Sequence, residues 1–192
     1  MSSTEKIPMV IVVGPSGVGK SSFVEKLCEE NGNILDVITY TTRDMRKGES
    51  EGNPYHFVTE ERFKALIEDD FFVEWANVHG RLYGTPRDQI ENSISKGQPV
   101  IMDVDVQGAE IFQKRYPGCL TLFIHPPSID ELRKRIISRE GGKEPHDLSV
   151  RLSNAEKEIA IADQFDQQFT NDEFSSSYSQ FKKIIEEFLE SK

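Results

Sequence analysis

Cysteine is scarce in this sequence: 192 residues include two, Cys28 and Cys119. They stand far apart and in no CxxC or zinc-type spacing, so both are expected as small buried thiols. Four histidines, His56, His79, His125 and His146, also show no metal spacing and read as structural or exposed residues. Basic residues are outnumbered, 23 Lys and Arg against 33 Asp and Glu, for a formal net charge of -10. That balance excludes a general binder of nucleic acid polymers or anionic membranes, which needs a basic surface. A locally basic cleft for an anionic ligand stays open. No apolar run approaches the roughly 20 residues of a membrane span. The first residues, Met1 to Lys6, hold no basic segment followed by an apolar one, so no secretory signal is expected and the cytoplasm is the expected location. Internal repeats and low-complexity segments are missing too.

What remains has the composition of a soluble globular protein, with 36% apolar and 29% charged residues. The length suits one compact domain with a small insertion. Residues 7–13 form an apolar run that ends at Gly14 and read as a buried parallel strand. A helix is predicted over 20–30, with Phe23, Val24 and Leu27 inward, then a strand over 35–40 and a charged loop over 43–52. Short strands over 55–58, 71–78 and 81–84, around a helix at 60–67, predict a small antiparallel insertion. Thr85-Pro86 predicts the next helix start, a hydroxyl N-cap with proline at the first position, and that helix runs to about 96. Alternation then resumes, with strands over 99–104 and 120–124 and helices over 109–116 and 128–139. Ser128-Ile129-Asp130-Glu131 has the capping-box pattern. A Gly- and Pro-bearing mobile loop covers 140–147, a helix 148–164 and a weak polar strand 165–170. Phe181, Ile184, Ile185, Phe188 and Leu189 mark the inward face of a last helix. Strands alternating with helices mean an α/β fold, a parallel sheet flanked by helices.

One motif carries specific chemistry. Gly14-Pro15-Ser16-Gly17-Val18-Gly19-Lys20-Ser21 matches the phosphate-binding loop G-x-x-x-x-G-K-[ST], between an apolar strand and a helix. Its glycines let backbone N–H groups curl toward phosphate oxygens, and the helix start puts a positive dipole end beneath the anion. Lys20 can reach the β and γ phosphates, and the Ser21 hydroxyl can ligate Mg²⁺. The motif predicts a bound nucleoside triphosphate; alone it does not separate a GTPase, an ATPase and a kinase.

Further segments follow in order: Thr39-Tyr40-Thr41-Thr42-Arg43-Asp44-Met45-Arg46, Gly52-Asn53-Pro54-Tyr55-His56-Phe57, Phe72-Val73-Glu74-Trp75-Ala76, Tyr83-Gly84-Thr85, and Met102-Asp103-Val104-Asp105-Val106-Gln107-Gly108. Together with the phosphate loop they resemble the guanylate kinase family, from about residue 8 to the C-terminus and most densely up to Gly108. The resemblance implies that Arg43, Arg46, Tyr55 and Tyr83 bind the GMP phosphate. It implies that Glu74 and Asp105 accept hydrogen bonds from the guanine edge, with Thr39 and Thr85 as hydroxyls near the base. Asp103 is implied near Mg²⁺ and the acceptor, and Arg139 and Arg151 as lid arginines facing the transferring phosphate. Residues 14–22, Gly14 to Ser22, and Asn171 are implied on the ATP side. Trp75 reads as a packing residue, and Arg133 and Arg135 as solvated helix charges. Three departures stand out: Thr39 where Ser is more usual, a polar final strand, and an irregular lid segment over 142–146.

These implications describe ATP and GMP as substrates, Mg²⁺ as the cofactor, and a monomer or small homo-oligomer. The expected division is a core over 7–38, 86–134 and 156–192, a small mixed α/β GMP-binding insertion over 39–85, and a mobile lid over 135–155. Guanidinium forks suit a phosphate dianion, and transfer in line needs positioning and electrostatics but no covalent intermediate. Two rivals differ in class. One is a non-catalytic, peptide-binding scaffold module of the same fold, disfavoured by the intact Lys20-Ser21 pair. The other is a related P-loop kinase with another phosphorylated acceptor, disfavoured by Glu74 together with Asp105.

Overall fold

A computed structural model describes residues 7–46, 48–78 and 80–191. The expectations for His79 and for residues 1–6 lie outside these. In chain order the elements are β1 (Met9–Val13), α1 (Lys20–Glu30), β2 (Leu35–Asp36), β3 (Thr39–Thr41), β4 (Ser50–Glu51), β5 (Pro54–Phe57), α2 (Glu60–Glu68), β6 (Phe72–Val78) and β7 (Arg81–Pro86). There follow α3 (Arg87–Ser95), β8 (Val100–Asp103), α4 (Val106–Arg115), β9 (Leu120–His125), α5 (Ile129–Arg139), α6 (Leu148–Ala160), a 3₁₀ turn (Ala162–Gln164), β10 (Gln167–Thr170) and α7 (Phe174–Glu190).

The first sheet runs β10-β9-β1-β8-β2 and every pairing in it is parallel. Its centre is β1, buried along its whole length because helices cover both faces. Side chains alternate across the strand: Val10 and Val12 join Phe23, Leu132 and Phe181 on one side, while Met9, Ile11 and Val13 join Ile90, Ala109 and Phe112 on the other. Phe23 is the hub of the first cluster, with ring centroids of Phe174, Phe181 and Phe169 at 5.0, 5.1 and 5.7 Å. The polarity of the final strand has a simple cause. β10 is an edge strand, and of its four residues only Phe169 is buried.

The second sheet runs β4-β5-β3-β7-β6. It is mixed rather than antiparallel throughout: β3 pairs with β5 in parallel and with β7 antiparallel. The helix α2 covers it, through Phe63 and Leu66 against Phe72. The Thr59 side chain caps α2 by accepting from the Arg62 N–H.

Several expected boundaries move. The single strand expected over 35–40 is two short strands, and they belong to different sheets. Between them Val37 N–H donates to Ile101 O in the first sheet, whereas Ile38 N–H donates to the Gln89 side chain. Thr85-Pro86 is the end of β7, not a capped helix start; α3 begins at Arg87 and has no side-chain cap. The hydroxyl expected to cap it is taken by Glu74. The helix expected from 109 starts at Val106, because Asp105 caps it by accepting from Gly108 N–H at 2.8 Å. The helix after 148 stops at Ala160 and passes into the 3₁₀ turn. Ser128 caps α5 as expected, accepting from Glu131 N–H. Trp75 does not pack in the core. Glu74 turns inward on β6, so its neighbour Trp75 faces out and is 47% exposed. Cys119 is buried, whereas Cys28 is only partly so; both are free thiols. Arg135 does more than sit in solvent, donating to Asp172 O at 3.1 Å, while Arg133 pairs with Glu144 at the surface. Among the described residues, no helix is long and apolar enough to cross a membrane.

Candidate active site

The C-terminal ends of β1 and β8 open onto a cleft of about 1490 Å³ between the two sheets and the α5–α6 turn. Open parallel sheets place ligand chemistry at this edge. Every residue expected at the site lines the cleft except Pro15.

On the first-sheet wall, the loop after β1 is held in a shape that requires glycine. Gly14, Gly17 and Gly19 have φ of 144°, 91° and 105°, values that side chains rarely tolerate. A Cβ on Gly14 would come 2.5 Å from Ile124 O, and one on Gly19 would come 2.9 Å from Asn171 Nδ2. Gly19 also opens α1, whose first turn has no side-chain cap and no acidic residue. Its first N–H groups and positive dipole end therefore face the cleft with no acidic side chain of the helix to meet them. Lys20 Nζ folds back onto the loop, donating to Gly14 O at 2.6 Å and Pro15 O at 3.3 Å. Ser21 Oγ donates to Asp103 Oδ2 at 3.1 Å, across 82 residues of sequence. Asn171 ties the last strand to the loop, its Nδ2 donating to Val18 O at 2.8 Å. Its buried Oδ1 has no hydrogen-bond partner among the described residues.

On the second-sheet wall, Arg43 is gripped by both oxygens of Glu49, at 2.8 and 3.0 Å. Glu49 also accepts from the Arg46 backbone N–H at 2.7 Å. The Arg46 side chain instead reaches Glu140 at 3.1 Å. Burial, and then the neighbouring charges of Arg139 and Arg43, hold the Arg46 guanidinium below its ordinary pKa. Tyr55 and Tyr83 meet edge-on with centroids 5.8 Å apart, and the Arg43 guanidinium lies 5.3 Å from the Tyr55 ring centroid. Burial pushes the Tyr55 hydroxyl well above its ordinary pKa, so it is a donor at neutral pH.

Deeper along this wall, Glu74 is 8% exposed and Thr85 fully buried. Thr85 Oγ1 donates to Glu74 Oε1 at 2.6 Å. Burial raises Glu74 to about 7, opposed by the Thr85 hydroxyl and assisted by the charge of Asp105. Gly108 lies between the two carboxylates: a Cβ there would meet Asp105 Oδ1 at 3.3 Å and Glu74 Oε2 at 3.4 Å. Glu74 and Asp105 thus converge although 31 residues separate them in the chain. Thr39 is buried on the adjacent strand β3.

Arg139 and Arg151 close the cleft from the α5–α6 turn. Arg151 pairs with Asp147 at 2.9 Å and approaches Glu140 at 3.9 Å. Glu158 on α6 also faces the cleft; burial raises its pKa and the charge of Lys20 opposes that. Sequence reasoning missed Glu49, Glu140, Asp147 and Glu158. Each lies in a charged stretch where nothing in local spacing separates a ligand of arginine from an ordinary surface carboxylate.

The Ser21 hydroxyl and the Asp103 carboxylate form a small set of hard oxygen donors beside the phosphate loop. No group of three or more His, Cys, Asp or Glu among the described residues could enclose a metal. That set fits Mg²⁺, which keeps much of its water and takes one or two protein oxygens together with substrate phosphates.

Comparison with known proteins agrees with this geometry. The guanylate kinase family model matches residues 6–188. A guanylate kinase of Bdellovibrio bacteriovorus is 50% identical over 184 residues, covering 96% of this chain and 99% of its own. One from Thermotoga maritima is 38% identical over 177 residues, covering 92% and 85%. The crystal structure of guanylate kinase from Anaplasma phagocytophilum superposes with a TM-score of 0.79 at 29% identity, over 98% of this chain and 89% of that one. With the phosphate loop, the facing arginines and the buried Glu74 beside Asp105 gathered in one cleft, the chain belongs to the guanylate kinase family and is a nucleoside monophosphate kinase, a phosphotransferase.

Proposed function

We propose that the chain transfers the γ-phosphoryl group of Mg-ATP to GMP, and to dGMP, by direct in-line displacement, giving ADP and the nucleoside diphosphate. The observation that carries this reading is the opposition of two anion sites across one cleft. The phosphate loop and the uncapped start of α1 lie on one side, and Arg43, Arg46, Tyr55 and Tyr83 on the other.

Residues 14–22 cradle the ATP phosphates with backbone N–H groups, and Lys20 leaves the loop carbonyls to meet the β and γ oxygens. Asn171 Oδ1, a buried acceptor, suits the amino group of the donor base. Ser21 would hold Mg²⁺, with Asp103 beside it; the ion would offset the charge on the triphosphate. Arg43, Arg46, Tyr55 and Tyr83 hold the acceptor phosphate so that its oxygen faces the γ-phosphorus. Arg139 and Arg151 offset charge on the transferring group. Glu74 and Asp105 accept from guanine N1–H and its 2-amino group, with Thr39 and Thr85 close by. Adenine offers an acceptor at N1 and nothing at C2, so AMP leaves carboxylate charge unpaired. The working division is a core over 7–38, 86–134 and 156–192, a GMP-binding insertion over 39–85 and a lid over 135–155. The protein works in the cytoplasm as a monomer or small homo-oligomer.

A coupled assay of ATP with GMP, dGMP, AMP, CMP and UMP tests the reading. Turnover confined to GMP and dGMP is expected. Equal turnover of AMP would remove the guanine assignment, and no turnover with any acceptor would remove the catalytic one.

A further inference from the structure

The lid and the GMP-binding insertion meet through a carboxylate that the reaction as described does not use. Glu140 Oε1 lies 3.1 Å from Arg46 Nη2 and 3.9 Å from Arg151 Nη1. One oxygen therefore faces an arginine assigned to the acceptor phosphate and an arginine assigned to the transferring phosphate.

Helix stability does not explain a glutamate here. Glu140 is the C-cap of α5, where the dipole disfavours negative charge. The helix is closed by backbone groups alone, Glu140 N–H to Ile136 O and Ile137 O, and Gly142 N–H to Ile137 O. Gly141 and Gly142, with φ of 71° and 82°, then turn the chain away. What the side chain does answer is local charge. Arg46 stands beside Arg43 and Arg139. Arg43 has Glu49 to itself on two oxygens, and Glu49 touches Arg46 only at the backbone. The Arg46 guanidinium, 29% exposed, is left with Glu140.

We propose that Glu140 is a positioning residue whose carboxylate stands in for phosphate in the empty enzyme, bridging Arg46 and Arg151 until the GMP phosphate displaces it from Arg46. The inference rests on the placement of the GMP phosphate at Arg43 and Arg46 given above. A phosphate dianion outbids a single carboxylate for a guanidinium fork. In leaving Arg46, the same Glu140 oxygen also draws away from Arg151, 3.9 Å off, which keeps Asp147 and turns a free edge toward the donor phosphates. GMP binding thereby prepares the ATP side, and by linkage ATP binding favours GMP equally.

The test uses the full chain with Glu140→Gln and Glu140→Ala, and calorimetric titration with GMP, guanosine, and GMP in the presence of Mg²⁺ and a non-hydrolysable ATP analogue. Without the analogue, both variants should bind GMP about two- to fivefold more tightly, the range for a partly exposed ion pair. Guanosine has no phosphate to compete with Glu140, so its affinity should stay unchanged. The factor by which the ATP analogue tightens GMP should shrink in the variants to the same degree. A purely structural Glu140 would move guanosine and GMP together. GMP affinity that is unchanged or weaker in both variants overturns the inference, as does an undiminished coupling factor. Arg46→Ala separates the two layers. It should weaken GMP and spare guanosine; if it spares both, the phosphate placement falls and the inference with it. If Arg46→Ala weakens GMP while the Glu140 variants do not tighten it, the placement stands and the role of Glu140 alone is lost.

Discussion

On the proposed function, Glu74 couples burial and proton affinity to base choice. Its carboxyl sits near 7 in the empty protein because burial disfavours the charged form. Guanine N1–H and the 2-amino group donate only to advantage against the ionised form, so bound GMP pulls this pKa down. Affinity for GMP should therefore fall as pH drops below about 7, since a growing fraction of the empty site must first lose a proton. Guanosine has no phosphate to titrate, so its affinity should show the same fall, and that slope should vanish in Glu74→Gln. Glu74→Gln should also weaken GMP by about 1–3 kcal/mol, because the amide presents donors where guanine already donates. Stability moves the opposite way. The folded-state pKa lies above the unfolded value of 4.5, so the folded state binds the extra proton and loses stability as pH rises from 4.5 through 7. Glu74→Gln should gain up to about 3 kcal/mol over the parent at pH 8 and nothing at pH 4, by chemical denaturation. A parent as stable as the variant at pH 8 would show that the buried carboxylate carries no such strain.

The helix α4 owes its place beside Glu74 to its first turn. Asp105 ends its role as a free carboxylate at one oxygen, Oδ1, which caps the helix through Gly108 N–H. Gly108 would gain about 1 kcal/mol of helix propensity if replaced by alanine. Its Cβ would press on Val104 at 3.2 Å and on the Asp105 and Glu74 carboxylates at 3.3 and 3.4 Å. Gly108→Ala should leave the melting temperature near that of the parent and raise the KM for GMP at least tenfold, with the KM for ATP unchanged. A variant with normal GMP kinetics would show that the carboxylates yield without cost. The same turn marks where sequence reading reached its limit. The phosphate loop was legible because four residue types at fixed spacing meet one physical demand, and the buried strands because apolar runs have few other uses. The break between β2 and β3 was not legible: Val37-Ile38 is as apolar as any strand interior, and only the partners across space, Ile101 and Gln89, send the two halves to different sheets. Thr85-Pro86 failed for a related reason. Its helix-start chemistry is real, but Pro86 is still paired with Phe72 in β7, and the Thr85 hydroxyl turns inward to donate to a buried glutamate 11 residues away. Glu74 itself was named from its resemblance; its burial and its hydrogen bond to Thr85 are tertiary facts.

The molecule as a whole carries net charge -10 yet collects Arg43, Arg46, Arg139 and Arg151 around one opening. Three of these charges are met by carboxylates: Arg43 by Glu49, Arg46 by Glu140 and Arg151 by Asp147. Segment 140–147 has two glycines, a proline and little apolar surface to bury, so its amides should exchange quickly in the free protein. A two-substrate analogue should slow that exchange, read by mass spectrometry, far more than exchange in β1; equal protection with and without it would rule out a closing lid. The second sheet, for its part, is joined to the first by two crossings, at 37–38 and 86–87, and β3 pairs with β7 close to both. Ile38 N–H is tied to the Gln89 side chain at 3.2 Å, so entry and exit are fastened to each other. A plate hung by adjacent edges has one soft swing, about the line of the fastening, and resists twist about every other axis. Gln89 is the side chain that makes the fastening. Gln89→Ala should cost about 1 kcal/mol in stability but about tenfold or more in the single-turnover transfer rate, since small misalignment of reacting groups is punished steeply. Both nucleotides should still bind, with their reacting groups held out of line.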